Sequence, residues 1–357
     1  MKDLLLLYSH CIVVKGAGRS VICDLQRSQV HLIPNSLADL FTDDRYFDIQ
    51  DIERQLDSEQ KDILNEYIRF IETNELAFYC SADELQHFPA LSKQWLFPAH
   101  ITNCILDAND TISYFNGHFL DQLDMLSCNY IQFRFYGSVT IDYLNHIMDL
   151  INISQIRSVA FLLPALQQES VTEFVNSNIK ISQFVMYGTA ENKILQSGRK
   201  GMGVILQVKD SIISHLNCGV INSAFFSINI PTYTESLNHN SCLNRKIAID
   251  VEGNIKNCPS MKDHYGNIKD TTLEEAYNKP GFKKFWNIKK DDITKCKDCE
   301  FRYICTDCRA YIEDPENLHS APLKCGYDPY SCEWEDWSAD PQKKMTFMNY
   351  ELVKSNA

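Results

Sequence analysis

The stretch that decides the reading runs from Ser241 to Cys332: SCLNRKIAIDVEGNIKNC, holding Cys242, Gly253 and Cys258, then CKDCEFRYICTDCRAY with Cys296, Cys299, Cys305 and Cys308, then KCGYDPYSC with Cys325 and Cys332. Eight of the chain's 14 cysteines lie in it. An isolated free cysteine is usually a small buried hydrophobe, but a C-x2-C-x5-C-x2-C run beside a glycine-split pair is too dense for that. A C-x2-C loop turns two thiolates to one side of a tight bend, as a tetrahedral metal or an iron–sulfur cube requires. Lys246–Val251 reads as a strand and Gly253-Asn254 as a hairpin turn. That reversal lets Cys242 and Cys258, sixteen positions apart, meet at one centre. Disulfides are the competing reading, and fourteen cysteines without a secretory signal weigh against them.

This stretch resembles the SPASM domain, the cysteine-rich extension of radical-SAM peptide-modifying enzymes. Cys242, Gly253 and Cys258 match its first part, and Cys296, Cys299 and Cys305 its second. Cys308 departs from the family by following Cys305 at x2 instead of x3. The resemblance implies two auxiliary [4Fe–4S] clusters. One would rest on Cys296, Cys299, Cys305 and Cys325, with Cys332 as the alternative last ligand. The other would rest on Cys242, Cys258 and Cys308, with Cys218 the candidate for the fourth position. Zinc on the same pairs is the alternative metal. Arg302 and Arg309 either offset a cluster's negative charge or are solvated surface charges. His239, close to Cys242, reads as a solvent-exposed polar residue, with metal coordination the lesser alternative.

At 357 residues the chain is long enough for two or three domains. An apolar share of 45% describes an ordinary globular protein. A net charge of −13 argues against a nucleic-acid partner, because phosphate neutralisation needs clustered Lys and Arg. The opening MKDLLLLYSHCIVV is too short to span a bilayer and has no small-residue cleavage site. The expectation is a cytoplasmic protein without a membrane partner.

Residues 1–85 read as a small domain. Cys11–Lys15 and Arg19–Asp24 are β-rich runs joined by Gly16-Ala17-Gly18, and Gln29–Ile33 alternates as a third strand. Asp57-Ser58-Glu59-Gln60 offers a capping box to a helix with Ile63, Leu64, Tyr67, Ile68 and Ile71 on one face. Three strands followed by helices resemble the RiPP recognition element, a winged-helix fold that grips the leader of a ribosomally made precursor peptide. The resemblance implies a peptide-binding edge at Gln29, Val30, His31, Leu32 and Ile33. Winged helices also bind DNA, but 8 basic against 16 acidic residues in 1–85 speaks against that.

Residues 97–232 alternate apolar β-rich runs, at His100–Leu106, Ile131–Tyr136, Val159–Leu163, Gln183–Tyr187, Val204–Val208 and Phe225–Ile230, with helical stretches such as Asp142–Ile151 and Glu169–Asn176. Such alternation predicts an α/β domain with a covered parallel sheet, and it resembles the partial (β/α)6 barrel of the radical-SAM fold. That family needs C-x3-C-x2-C in the loop after its first strand. Here the loop DANDTISYFNGHFLDQLDML has no cysteine, and Cys104 and Cys128 stand alone on either side. No S-adenosylmethionine-binding residue is assigned, and a barrel that does not cleave S-adenosylmethionine with its own cluster is expected. The sequence has no P-loop, H-E-x-x-H or GxGxxG.

Taken together, residues 1–85, 97–232 and 233–357 resemble the grasp-with-spasm peptide maturases. That likeness implies a precursor peptide and an ATP-grasp ligase as partners. Two other readings stand beside it: a cluster-dependent redox enzyme acting on the peptide, and a zinc-stabilised binding scaffold.

Overall fold

The computed structural model describes residues 4–43, 45–198 and 203–350. Contacts divide the chain into two units, one of Met1–Leu96, Ile221–Ser241 and Asn287–Ala357, the other of Phe97–Val220 and Cys242–Trp286.

The first unit begins with six strands: β1 (Leu4–Leu7), β2 (Cys11–Lys15), β3 (Ser20–Asp24), β4 (Gln29–Ile33), β5 (Tyr46–Asp48) and β6 (Ala77–Cys80). The leucines of β1 form the centre of an antiparallel sheet ordered β5-β1-β6. All four are buried because opposite faces of the strand enter different cores. Leu5 and Leu7 pack with Val13, Ile22 and Leu64, whereas Leu4 and Leu6 pack with Cys80. Met1–Asp3 lie outside the described residues.

A second antiparallel sheet, β2-β3-β4, is the three-strand meander the sequence predicts, in register Val13↔Ile22↔His31. One face, with Val13, Ile22 and Ile33, packs on the helix Ser58–Thr73 through Leu64 and Ile71. That helix has both hydrogen bonds of the Asp57/Gln60 capping box. The other face presents Val14, Val21 and Cys23 to Phe301, Ile304, Cys305 and Tyr327 of the cysteine region. Strand β4 is an edge of this sheet.

The second unit is built on eight strands: β7 (Asn103–Ala108), β8 (Tyr130–Phe135), β9 (Ser158–Pro164), β10 (Ile181–Tyr187), β11 (Lys193–Ser197), β12 (Val204–Val208), β13 (Lys246–Ile249) and β14 (Ile255–Lys256). Their order is β11-β12-β10-β9-β8-β7-β13-β14. The run from β12 to β13 is parallel, and β11 and β14 are antiparallel additions at its two ends. Near-continuous apolar strands bury Phe133, Phe135, Phe161 and Phe184, and helices Gly117–Met125, Ile141–Asn152 and Gln168–Ser177 contribute to the same core. Cys104 and Cys128 are part of it.

One expected strand is absent. Phe225–Ile230 is no strand: a turn at Ser223–Phe225 precedes the helix Ile230–Asn238. The Asn222 side chain accepts from Ala224 N and that of Asn229 from Thr232 N, with Pro231 in the first turn. Local capping chemistry overrides the apolar pattern there. The parallel neighbour on the far side of β7 is instead β13, from the cysteine-rich stretch.

Candidate metal centres

In the second unit, β13 and β14 make the hairpin that the Cys242–Cys258 spacing requires. Gly253 has φ +86°, a left-handed backbone that favours glycine. The Asp250 carboxylate closes the turn by accepting from Glu252 N at 3.0 Å and Asn254 N at 2.9 Å, and it pairs with Lys256 Nζ at 2.8 Å. At the feet of the hairpin, Asn257 Nδ2 donates to Leu243 O and Lys246 O, tying the Cys258 arm to the Cys242 arm.

Lys246 Nζ lies 3.4 Å from Cys242 Sγ, and its charge is felt by Cys258. Burial pushes the Cys258 thiol up to about 11; Lys246 pulls it down, and Cys218 and Cys242 push it further up. Cys218, exposed after the turn His215–Asn217, therefore shares an electrostatic environment with Cys242, Cys258 and Lys246.

In the first unit, Cys296, Cys299, Cys305 and Cys325 line one cavity with Phe226, Phe301 and Lys290. Lys290 is buried, with Nζ 3.5 Å from Cys305 Sγ and 4.0 Å from Cys296 Sγ. Burial raises Cys296 to about 12 and Cys305 to about 11, against the pull of Lys290. As free thiols these groups are protonated near neutral pH, so metal binding would release protons.

Cys308 is buried in the first unit, in the electrostatic environment of Tyr350. Cys332 does not line the cavity of the four thiols. It sits at φ +60° against the hairpin turn before β3, where a Cβ on Gly18 would stand 2.5 Å from its sulfur. Arg302 and Arg309 are not solvated surface charges. Arg302 donates to Lys15 O, Cys299 O and Asp291. Arg309 is buried on Asp307, Leu318 O and Ser320 O. Sequence reasoning missed Lys246 and Lys290. Their only signal is placement, four residues after Cys242 and six before Cys296.

The donor sets fit a sulfur-ligated group. A single zinc with bonds of about 2.3 Å would hold its sulfurs roughly 3.8 Å apart. Among the described residues, the His/Cys/Asp/Glu group with ligand atoms all within 4.8 Å is instead His10, Cys11 and Asp24. There Arg27 Nε already binds Asp24 at 2.6 Å, and two backbone amides add to it. The four thiols lining one cavity in the cysteine region offer the all-sulfur donor set of a polynuclear core whose thiolates sit on different irons.

Comparison with known proteins agrees with this chemistry. Residues 241–300 match the family model of SPASM, described as an iron–sulfur cluster-binding domain. No curated protein sequence matches. Among solved structures, Streptococcus suis SuiB is similar at 10% identity and TM-score 0.36, over 87% of this chain and 95% of that one. SuiB bound to precursor peptide SuiA is similar at 10% identity and TM-score 0.35, over 86% and 96%. No described helix is long and apolar enough to cross a membrane.

Proposed function

We propose that this chain is a maturation protein for a ribosomally made peptide, working beside an ATP-grasp ligase in the cytoplasm. In this reading residues 1–85 form a recognition element of winged-helix type, 97–232 a radical-SAM-like barrel, and 233–357 a SPASM-like domain. Cys296, Cys299, Cys305 and Cys325 hold one [4Fe–4S] cluster. Cys242 and Cys258 hold a second, with Cys218 the candidate for a further ligand. When bound, such clusters supply one-electron chemistry or an open iron for a ligand. The chain's own residues do the rest. The cysteine region anchors the meander, and Gln29–Ile33 offers an unpaired strand edge to which an extended leader can add by backbone hydrogen bonds. In this reading the barrel, with no cysteine between Cys104 and Cys128, does not cleave S-adenosylmethionine with a cluster of its own.

The observation that carries this reading is the gathering of four thiols from the SPASM-like pattern in one cavity beneath the meander. Anaerobic purification with iron and sulfide analysis tests the cofactor. Calorimetry with the cognate precursor tests recognition, with Leu32→Glu on the exposed edge expected to weaken binding at least about tenfold, the scale of one mispaired charge at a binding surface. Zinc without iron, or no binding with and without the ligase, would overturn it.

A further inference from the structure

Each group of thiols has one lysine whose ammonium lies against its sulfur. Lys246 is half-buried, and its ammonium donates a hydrogen bond to Cys242 Sγ. Among the described residues it forms no ion pair with a carboxylate. Lys290 lies 3.8 Å from Asp307, but that carboxylate is already held by Arg309 at 2.7 and 2.8 Å and by Asn240 Nδ2 at 2.6 Å. Its nearer neighbours are Cys305 Sγ at 3.5 Å and Thr306 O at 3.3 Å. An ammonium partly or wholly withdrawn from water, with no carboxylate of its own, is disfavoured. Neutral thiols supply none, whereas thiolates on an iron–sulfur core do.

We infer that Lys246 and Lys290 are built-in counter-charges, one for each sulfur-ligated centre. Each donates an N–H···S hydrogen bond that holds the centre in place and favours its more negative, reduced state. This deepens the cluster reading above and rests on it. Cationic hydrogen bonding to cluster sulfur raises the reduction potential, so the two centres are set to accept an electron more readily than the same ligands would alone.

The test is an EPR-monitored redox titration of the full chain, purified and reconstituted without oxygen. The variants are Lys246→Met, Lys246→Arg, Lys290→Met and Lys290→Arg, with exposed Lys269→Met as control. Each Met variant should move one signal and leave the other in place. At fixed potential the reduced-to-oxidised ratio of that signal should fall about tenfold, 59 mV for a one-electron couple. The Arg variants should recover most of the loss. If a Met variant sheds the iron of one centre while its Arg counterpart keeps it, the inference is supported in the same way. Iron retained with both potentials unmoved would overturn it, as would equal loss of iron in Met and Arg variants. An iron-free wild type would overturn the cluster reading and this inference with it.

Discussion

Arg19→Met should destabilise the first unit by removing the counter-ion of a buried carboxylate. Glu300 is fully buried. Its Oε1 accepts from Arg19 Nε at 2.8 Å and from the Tyr327 hydroxyl, while its Oε2 has no hydrogen-bond partner among the described residues. Arg19 also reaches the Tyr327 hydroxyl at 3.2 Å. Breaking a fully buried pair costs about 3–5 kcal/mol, because the remaining charge is left unpaired. Arg19 keeps 27% side-chain exposure, which places the loss at the lower end, about 3 kcal/mol. With a urea m-value of about 2 kcal/mol per molar, the unfolding midpoint should fall by about 1.5 M at unchanged m. Glu300→Gln keeps an acceptor and removes the charge, so it should cost only about 1 kcal/mol. The double variant should be less damaged than the sum by about 2 kcal/mol, since no charge is then stranded. Equilibrium urea unfolding of the metal-loaded protein measures all three. A midpoint drop below about 0.5 M for Arg19→Met, or strict additivity in the cycle, would refute the reasoning.

Cys325→Ser should remove the iron of one centre and Cys332→Ser should leave it, read as iron and sulfide per chain, because only Cys325 lines the cavity with Cys296, Cys299 and Cys305. Gly253→Ala should cost about 1–2 kcal/mol, since φ +86° strains any residue with a Cβ; thermal unfolding measures it. Burial pushes the Asp24 carboxyl up, but hydrogen bonds and charge from Arg27 bring it below its ordinary value. A lowered carboxylate contributes stability that is complete above its unfolded pKa of about 3.9 and is lost as pH falls through the folded value. Asp24→Asn should therefore flatten the acid side of the urea-midpoint profile below about pH 4 and leave its shape near neutrality unchanged.

The meander was legible because alternating strands and a glycine-bearing turn are local signals. Glycine at positions 16 and 18 has a further cause that no local pattern shows. A Cβ at Gly16 would stand 2.9 Å from Glu300 N, and one at Gly18 would strike Cys332 Sγ. The turn is pressed against the cysteine region, where Ala17 N donates to Asp298 O and Gly18 N to Pro329 O. Strand β1 was not legible as a strand, because four consecutive leucines show no alternation when both faces are covered. The parallel sheet could be read from its apolar runs, but not the placing of β13 beside β7. That pairing joins residues over 140 positions apart, Lys246 with Asn103, and no local pattern encodes it. Spacing favoured Cys325 but left Cys332 as an alternative. Only the tertiary path puts one with the other thiols and the other against the hairpin turn. Lysines default to solvent, so nothing in the sequence marked Lys246 or Lys290 until the cysteines had converged around them.

The cysteine region also serves as a wall of the meander's core. Cys305 belongs to the same apolar cluster as Val14, Val21 and Cys23, with Phe301 and Tyr327 between the strands and the thiols. The opposite face of the meander is covered by helices. A sheet covered on both faces can gain a partner only along an edge, and β4 is an edge strand whose Leu32 is exposed. The order of that edge then depends on the wall behind it, a run of turns held by short-range backbone hydrogen bonds such as Cys299 N to Cys296 O and Cys305 N to Phe301 O. Metal on the thiols would fix that loop, and a fixed loop would fix the sheet. Coupling of this kind is reciprocal in free energy: a peptide that binds the ordered edge must favour retention of the metal by the same factor, without the two ever touching.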